Sequence, residues 1–337
     1  MYNLNTDSVF IIAEAGVNHN GCLQRAFELV DAAKAANADA VKFQIAVPEL
    51  VAAASAEKAQ YQKDTTGETQ SQLDMLKNLL LPLEDFYKIK QYAISRDILF
   101  FATAFDTPSL DYLNQLKVPL LKIPSGEITN IPLLRKIASF GLPTILSSGM
   151  SSLGDIEQAL FVLNESGLQS DKIRLMHCTS QYPTPLDEVN LRAIHTLRSA
   201  FCLPVGYSDH TNGISVPLAA VALGATLIEK HLTLSCLLPG PDHRASLEPH
   251  EFLNMVTGIR EVEKSLGSSR KKPSPSELDT MKVARRSLVA KTKIRLGEIF
   301  TVDNLTTKRP GTGICASEWD NYIGTKAIKD YQPDDLI

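Results

Sequence analysis

The 337-residue chain has few cysteines, no long apolar run and no surplus of positive charge. Its five cysteines are scattered, odd in number and never spaced CxxC, which argues against a disulfide framework or a zinc cluster. No apolar stretch reaches the roughly 18 to 20 residues a membrane-spanning helix needs, so no membrane partner is expected. The opening "MYNLNTDSVFII" lacks the basic region and small-residue cleavage site of a signal peptide, and a cytoplasmic protein is the reading that follows. A net charge of −4 offers no basic footprint for nucleic acid, although a local cationic pocket can still hold a small anionic substrate. Neither an HxH pair nor an Asp-rich cluster follows the strand-like runs, which argues against a barrel metallohydrolase.

What is present is an alternation. The strand-like runs are "VFIIAEAG", "AVKFQ", "LFFATAF", "LLKIPSG", "TILSSG", "IRLMHCTS", "PVGYSDH" and "LIEKH". The stretches between them carry apolar residues at three- and four-residue spacing, as in "LQRAFELVDAAKAA" and "DIEQALFVLNES". Eight strands alternating with helices predict an α/β fold of the (β/α)8 TIM-barrel type, over residues 1–266. In that fold the active site lies at the C-terminal ends of the strands. Polar side chains fall at those ends: Glu14, Lys42, Gln44, Thr103, Lys122, Ser125, Ser147, His177, Thr179, Ser180, Ser208, Asp209, His210, Glu229, Lys230 and His231. A lysine within a buried strand is costly unless something pairs with it, so Lys42 and Lys122 are the strongest markers of a site. His210 and His231 end neighbouring strands and can meet on one cation. An open shell completed by waters and substrate oxygens suits Mn²⁺ or Mg²⁺ better than structural Zn²⁺.

The gap between the second and third runs is too long for an ordinary connection, and at the catalytic mouth it reads as a lid or a substrate wall. After the last barrel helix, "SSRKKPSPSELDTM" reads as a linker, residues 267–282. Residues 283–337 predict a small β-rich module with Tyr322, Ile323, Ala327, Ile328, Leu336 and Ile337 in its core. Its charged "KTKIRLGE" does not suit an ice-binding face.

The motifs "AEAGVNHNG", "KIPSGE", "HCTSQYPTP", "GYSDHT", "EKHLT", "GPDHRASLEP" and "KRPGTGI", in this order from about residue 9 onward, resemble the sialic acid (nonulosonic acid) synthases. The C-terminal module is similar to type III antifreeze proteins, an antifreeze-like SAF domain. The resemblance implies a metal-dependent condensation, usually with Mn²⁺, of phosphoenolpyruvate with an N-acetylmannosamine-type sugar. It assigns phosphoenolpyruvate to Lys42, Thr103, Lys122, Ser125, Ser147, Ser180 and Ser208, and the metal to His210 and His231. Ser180 stands where some members carry Asn. The sugar falls to Gln44, Tyr182, Asp242 and Arg309, the last reaching a partner's site across a domain-swapped homodimer.

Of the two carboxylates suited to activate water, Glu229 is the first candidate and Glu14 the second. Asp209 and Glu127 read as orienting groups, Asn18 and His19 as turn or substrate residues, and Lys230 as pointing outward into the helix layer. The product expected is N-acetylneuraminate or N,N'-diacetyllegionaminate, from an unphosphorylated sugar. The alternatives are a pseudaminic acid synthase or a Schiff-base aldolase using Lys42 or Lys122.

Overall fold

In each of the first eight strands one face alternates with the other, and the two faces bury different partners. The strands are β1 (Phe10–Gly16), β2 (Ala40–Ile45), β3 (Leu99–Ala104), β4 (Leu121–Ile123), β5 (Thr144–Ser147), β6 (Ile173–Cys178), β7 (Val205–Asp209) and β8 (Leu227–His231). In the computed structural model all neighbours pair in parallel, and β8 returns to β1 to close the barrel. Residues 8–337 are described; the first seven, part of the opening read above as lacking a signal peptide, lie outside the described residues. The chain divides into two compact units, Met1–Gly267 and Ser268–Ile337. No helix among the described residues is long and apolar enough to cross a membrane.

The outward faces join the helices in one large core that includes Ile11, Ala13, Val41, Phe43, Leu175, Tyr207 and Ile228. The inward faces make a second, smaller core of Phe10, Ile12, Ala40, Phe101, Leu120, Ile145, Met176 and Leu227. Each large apolar side chain so buried contributes about 1.5–3 kcal/mol. Two residues further along six of the strands the inward position turns polar: Glu14 after Ile12, Lys42 after Ala40, Thr103 after Phe101, Lys122 after Leu120, Ser147 after Ile145 and Glu229 after Leu227. The barrel is thus plugged with hydrocarbon at its N-terminal end and lined with polar groups at its C-terminal end. Gly206 makes one part of that lining possible. A Cβ there would lie 2.7 Å from both the Cβ and the carbonyl oxygen of Leu227. Its absence lets β7 and β8 approach, so that Ser208 pairs with Glu229 in register.

The long gap after β2 is not a loose loop. It folds into short helices over Pro48–Val51, Gln60–Thr66 and Gln72–Leu79 before the barrel helix Asp85–Ser95. Lys58, itself buried, ties it together by donating to Thr66 Oγ1 at 3.0 Å and to the Gly67 carbonyl.

In the second unit, β9 (Ser287–Ala290) pairs antiparallel with β10 (Leu305–Lys308). Its core is Leu288, Ala290, Ile294, Phe300, Leu305, Ala327 and Tyr331, with Tyr322, Ile323 and Ile337 packed against it. Ile328 departs from expectation, being 83% exposed, because Ala327 and Tyr331 take the inward positions beside it. The segment 267–282 also contains the start of a helix, Glu277–Ala284. Leu278 and Val283 on it are exposed, so no buried face exists for apolar spacing to announce.

Candidate active site

Apart from Asn18 and His19, read as turn or substrate residues, every barrel residue assigned above to substrate, base or metal lines a single cavity of about 370 Å³ at the C-terminal end of the strands. At its floor lies a cluster of two lysines and two glutamates. Lys122 Nζ donates to both oxygens of Glu229, at 2.9 and 2.8 Å. Strands β4 and β8 are diametrically opposed in an eight-stranded barrel, so this pair spans the interior. Lys42 Nζ sits 2.8 Å from Glu14 Oε2 and 3.5 Å from Glu229 Oε2, and donates to Thr103 Oγ1 at 2.9 Å. Ser208 Oγ donates to Glu229 at 2.9 Å, and Gln44 Nε2 to Glu14 at 3.2 Å.

Burial and pairing compete in this cluster, and the balance differs for each member. Burial works against the charge on Lys42, but Glu14 and Glu229 together prevail and its pKa is raised. Lys122 is lowered, burial outweighing the attraction of Glu229. Burial also opposes ionisation of Glu229, yet Lys122 and then Lys42 hold its carboxyl well below the usual range. Glu14 goes the other way. Burial is the largest influence, Lys42 opposes it, the like charge of Glu229 adds to it, and the pKa is raised. Of the two carboxyls, Glu14 is the one with affinity for a proton. Asp242, buried and facing the charge of Glu14, is pushed up to about 7.

The two histidines follow from the same alternation. His210 and His231 have ring centroids 5.5 Å apart. His210 Nδ1 donates to the Thr179 carbonyl at 2.7 Å, which leaves Nε2 as the nitrogen with a lone pair. His231 Nδ1 is buried without a hydrogen-bond partner, 3.8 Å from Asp242 Oδ2. Burial lowers His210 to about 4, and burial together with His210 lowers His231 well below its ordinary value. Both rings are therefore neutral at pH 7, the form that binds cations. Among the described residues no three His, Cys, Asp or Glu side chains converge as a ready-made metal group. The donor set fits a divalent cation held by two imidazoles, with oxygens of substrate and water completing the shell.

Ser125, Ser147 and Ser180 surround the β4 and β5 ends of the cavity. The Gly149 amide donates to Ser125 Oγ at 3.0 Å. A Cβ on Gly149 would lie 2.3 Å from Ser180 Oγ, 2.8 Å from Ser125 Oγ and 3.1 Å from Cys178 Sγ, so glycine is what lets these three side chains crowd together. Gly126, by contrast, faces open space.

Other strand-end residues lie elsewhere. His177 faces the helix layer, between inward Met176 and Cys178, and its Nε2 donates to the Val189 carbonyl at 2.8 Å. Asp209, expected to orient His210 or a neighbouring backbone, does the second, holding the Thr211 amide. It accepts from Lys230 at 2.5 Å, from the Tyr207 hydroxyl and from Thr211. Lys230 does point outward, into an ion pair without any exposure to solvent. Glu127 accepts from Asn130 at 2.6 Å. Asn18 Nδ2 bridges the Leu232 carbonyl and Ser246, fastening the first loop to the last. His19 is fully buried, and its Nδ1 accepts from the Gly21 amide at 3.2 Å. Arg309 belongs to the second unit, where its Nε donates to the Ala284 carbonyl at 3.0 Å.

Several wall residues were not singled out from sequence: Val17, Tyr61, Gln62, Gln72, Met75 and Leu79. Tyr61 stacks on Tyr182 at 5.0 Å, and Tyr182 in turn lies 4.0 Å from the His210 ring. The available signal was the spacing of Gln72, Met75 and Leu79 in "SQLDMLKNL", which puts them on one side of a helix.

Comparison with known proteins gives this arrangement a family. The NeuB family matches residues 29–271, and the SAF domain matches residues 285–337. An N,N'-diacetyllegionaminic acid synthase of Campylobacter jejuni is 50% identical over 327 residues, 97% of this chain and 98% of that protein. One of Legionella pneumophila is 49% identical over 94% of this chain and 90% of that protein. A pseudaminic acid synthase of Campylobacter jejuni is more distant, at 33% identity over 99% of this chain and 97% of its own. The crystal structure of an N-acetylneuraminic acid synthetase from Leptospira borgpetersenii, in complex with citrate, superposes with a TM-score of 0.71 at 39% identity, covering 81% of this chain and 90% of that chain. With a closed eight-stranded barrel, a following SAF domain and half its residues shared with such a synthase over nearly its full length, the chain belongs to the NeuB family.

Proposed function

We propose that the protein condenses phosphoenolpyruvate with an unphosphorylated 2-acetamido sugar aldehyde, giving a nine-carbon 2-keto acid and phosphate, with N,N'-diacetyllegionaminate as the favoured product. The near-full-length likeness to two diacetyllegionaminic acid synthases carries this reading. The chemistry of the cavity supports it.

Phosphoenolpyruvate brings a phosphate and a carboxylate, both of which need charged donors. Lys42 and Lys122 supply them, assisted by hydroxyls of Thr103, Ser125, Ser147, Ser180 and Ser208. Substrate oxygens then compete with Glu14 and Glu229 for the two ammonium groups. Once Lys42 turns to the substrate, Glu14 loses the main influence lowering its pKa and becomes a stronger base. C3 of phosphoenolpyruvate forms a bond to the aldehyde carbon with the electrons of its C2–C3 double bond, and the aldehyde oxygen takes a proton from solvent water to become a hydroxyl. The positive charge left at C2 is captured by water, which gives its proton to Glu14. The tetrahedral C2 then releases phosphate as the keto group forms. Glu14 replaces Glu229 as the first candidate for the base, because it pairs with Lys42 alone among the described lysines. Glu229 is shared by two lysines and Ser208, and keeps more of its stabilisation when substrate draws on the ammonium groups. A divalent cation held by His210 and His231, Mn²⁺ or Mg²⁺, would act as a Lewis acid toward the aldehyde. The raised pKa of Lys42 disfavours the neutral amine a Schiff-base aldolase needs there, while Lys122, lowered by burial, is the lysine the borohydride test addresses.

The test is phosphate release from phosphoenolpyruvate with 2,4-diacetamido-2,4,6-trideoxymannose or N-acetylmannosamine, with Mn²⁺ and with EDTA. Release with sugar and metal, abolished by EDTA and restored by Mn²⁺, is the expected outcome. Borohydride trapping of pyruvate on the protein would overturn the scheme. We further propose a homodimer in which Arg309 reaches the partner's sugar. Arg309→Ala should then raise the KM for sugar far more than that for phosphoenolpyruvate, and equal effects would remove the assignment. None of the five cysteines is paired, which supports a cytoplasmic enzyme.

A further inference from the structure

The cavity has two unlike walls. Its floor, at the strand ends, is charged and hydroxylated. Its flank is the helix Gln72–Leu79, which turns Gln72, Met75 and Leu79 toward it at three- and four-residue spacing. Met75 and Leu79 pack with Val17 in a small apolar cluster separate from the main core. Gln72 Oε1 is buried beside them with no hydrogen-bond partner. An acceptor that no protein group occupies is free to receive a donor from a molecule bound in the cavity.

We infer that this helix face is the specificity wall for the far end of the acceptor sugar, selecting a hydrogen-bond donor next to a methyl group. The inference rests on the proposed condensation. The reacting aldehyde must meet the charged floor and the two histidines, so the opposite end of the sugar is left to the remaining wall. That wall offers one acceptor and a hydrocarbon surface, and no cation. An acetamido group at C4 supplies a donor to Gln72 Oε1, and a methyl at C6 packs on Met75, Leu79 and Val17. A hydroxyl at C4 could also donate to Gln72. A primary hydroxyl at C6 would instead be set against hydrocarbon without a partner. A hydrophobic surface rejects an added hydroxyl by up to about 100-fold, so a preference of about 10- to 100-fold for the diacetamido-trideoxy sugar over N-acetylmannosamine is expected in kcat/KM.

The near-isosteric exchanges Gln72→Met and Met75→Gln test the wall from both sides. The first removes the acceptor, and the second puts an amide where the methyl should pack. Met75→Gln should lower the ratio of kcat/KM between the two sugars by about tenfold or more, and Gln72→Met should lower kcat/KM for both sugars, while the KM for phosphoenolpyruvate stays near that of the parent. Gln72 is only half-buried, so its exchange keeps the test open if Met75→Gln folds poorly. A ratio unchanged in folded Met75→Gln, a kcat/KM unchanged for both sugars in folded Gln72→Met, or a parent enzyme that uses both sugars equally well overturns the specificity wall and leaves the condensation standing. Phosphate release with neither sugar overturns both.

Discussion

Replacing Lys122 with methionine is expected to lower kcat/KM for phosphoenolpyruvate by about 10²- to 10⁴-fold, and to lower the melting temperature as well. Lys122 is almost fully buried and holds both oxygens of Glu229 from the opposite side of the barrel. Removing one partner of a buried pair strands the other charge, at a cost of about 3–5 kcal/mol. Glu229 would retain Ser208 at 2.9 Å and Lys42 at 3.5 Å, so the protein should still fold. The double variant Lys122→Met/Glu229→Gln separates the two effects. Neutralising the stranded carboxylate should recover much of the melting temperature and none of the phosphoenolpyruvate affinity. If activity returned together with stability, Lys122 would be a structural residue and its place in anion binding would be lost. Kinetics and thermal melts on the same preparations decide it.

The second large effect is one of stability alone. Lys230→Met should destabilise the barrel by about 3–5 kcal/mol in urea denaturation, toward the lower end of that range. The ion pair of Lys230 with Asp209 has no solvent exposure on either side. Asp209 would keep the Tyr207 hydroxyl and the backbone and side chain of Thr211, each at 3.1 Å, which softens the loss. Because the pair lies on the outer side of β7 and β8, the folded fraction should keep a kcat close to that of the parent. A fall in kcat that outlasts correction for unfolded protein would mean the pair positions the neighbouring Glu229 or His231. Pairing the change with Asp209→Asn should recover part of the stability, since the two residues are coupled.

Both variants bear on one strand, the first through Glu229 and the second through Lys230, and "TLIEKH" illustrates what could be read in advance. Alternation put Glu229 and His231 on the inner side and Lys230 on the outer side, as the strand shows. Its extent of burial was another matter. An outward residue of a barrel strand meets helices rather than water, and only the packing of those helices tells whether any solvent reaches it. The same limit applies to the two glutamates. Both could be recognised as inward carboxylates near lysines, yet Glu229 is held ionised while Glu14 is drawn toward protonation. That difference depends on which ammonium reaches which carboxylate across the closed barrel, between residues 107 positions apart in the case of Lys122 and Glu229.

By itself, then, the sequence determined the eightfold alternation, the polar strand ends and the histidine pair, because a period of two along a strand and the apolar spacing of helices are local properties of the chain. Closure of the barrel decided the rest. It set Lys122 against Glu229, laid the Gln72–Leu79 helix along the cavity with its unpaired acceptor, and sealed Lys230 from water. Those are contacts between segments far apart in the chain, and their geometry is fixed by how strands and helices pack, which no local pattern encodes.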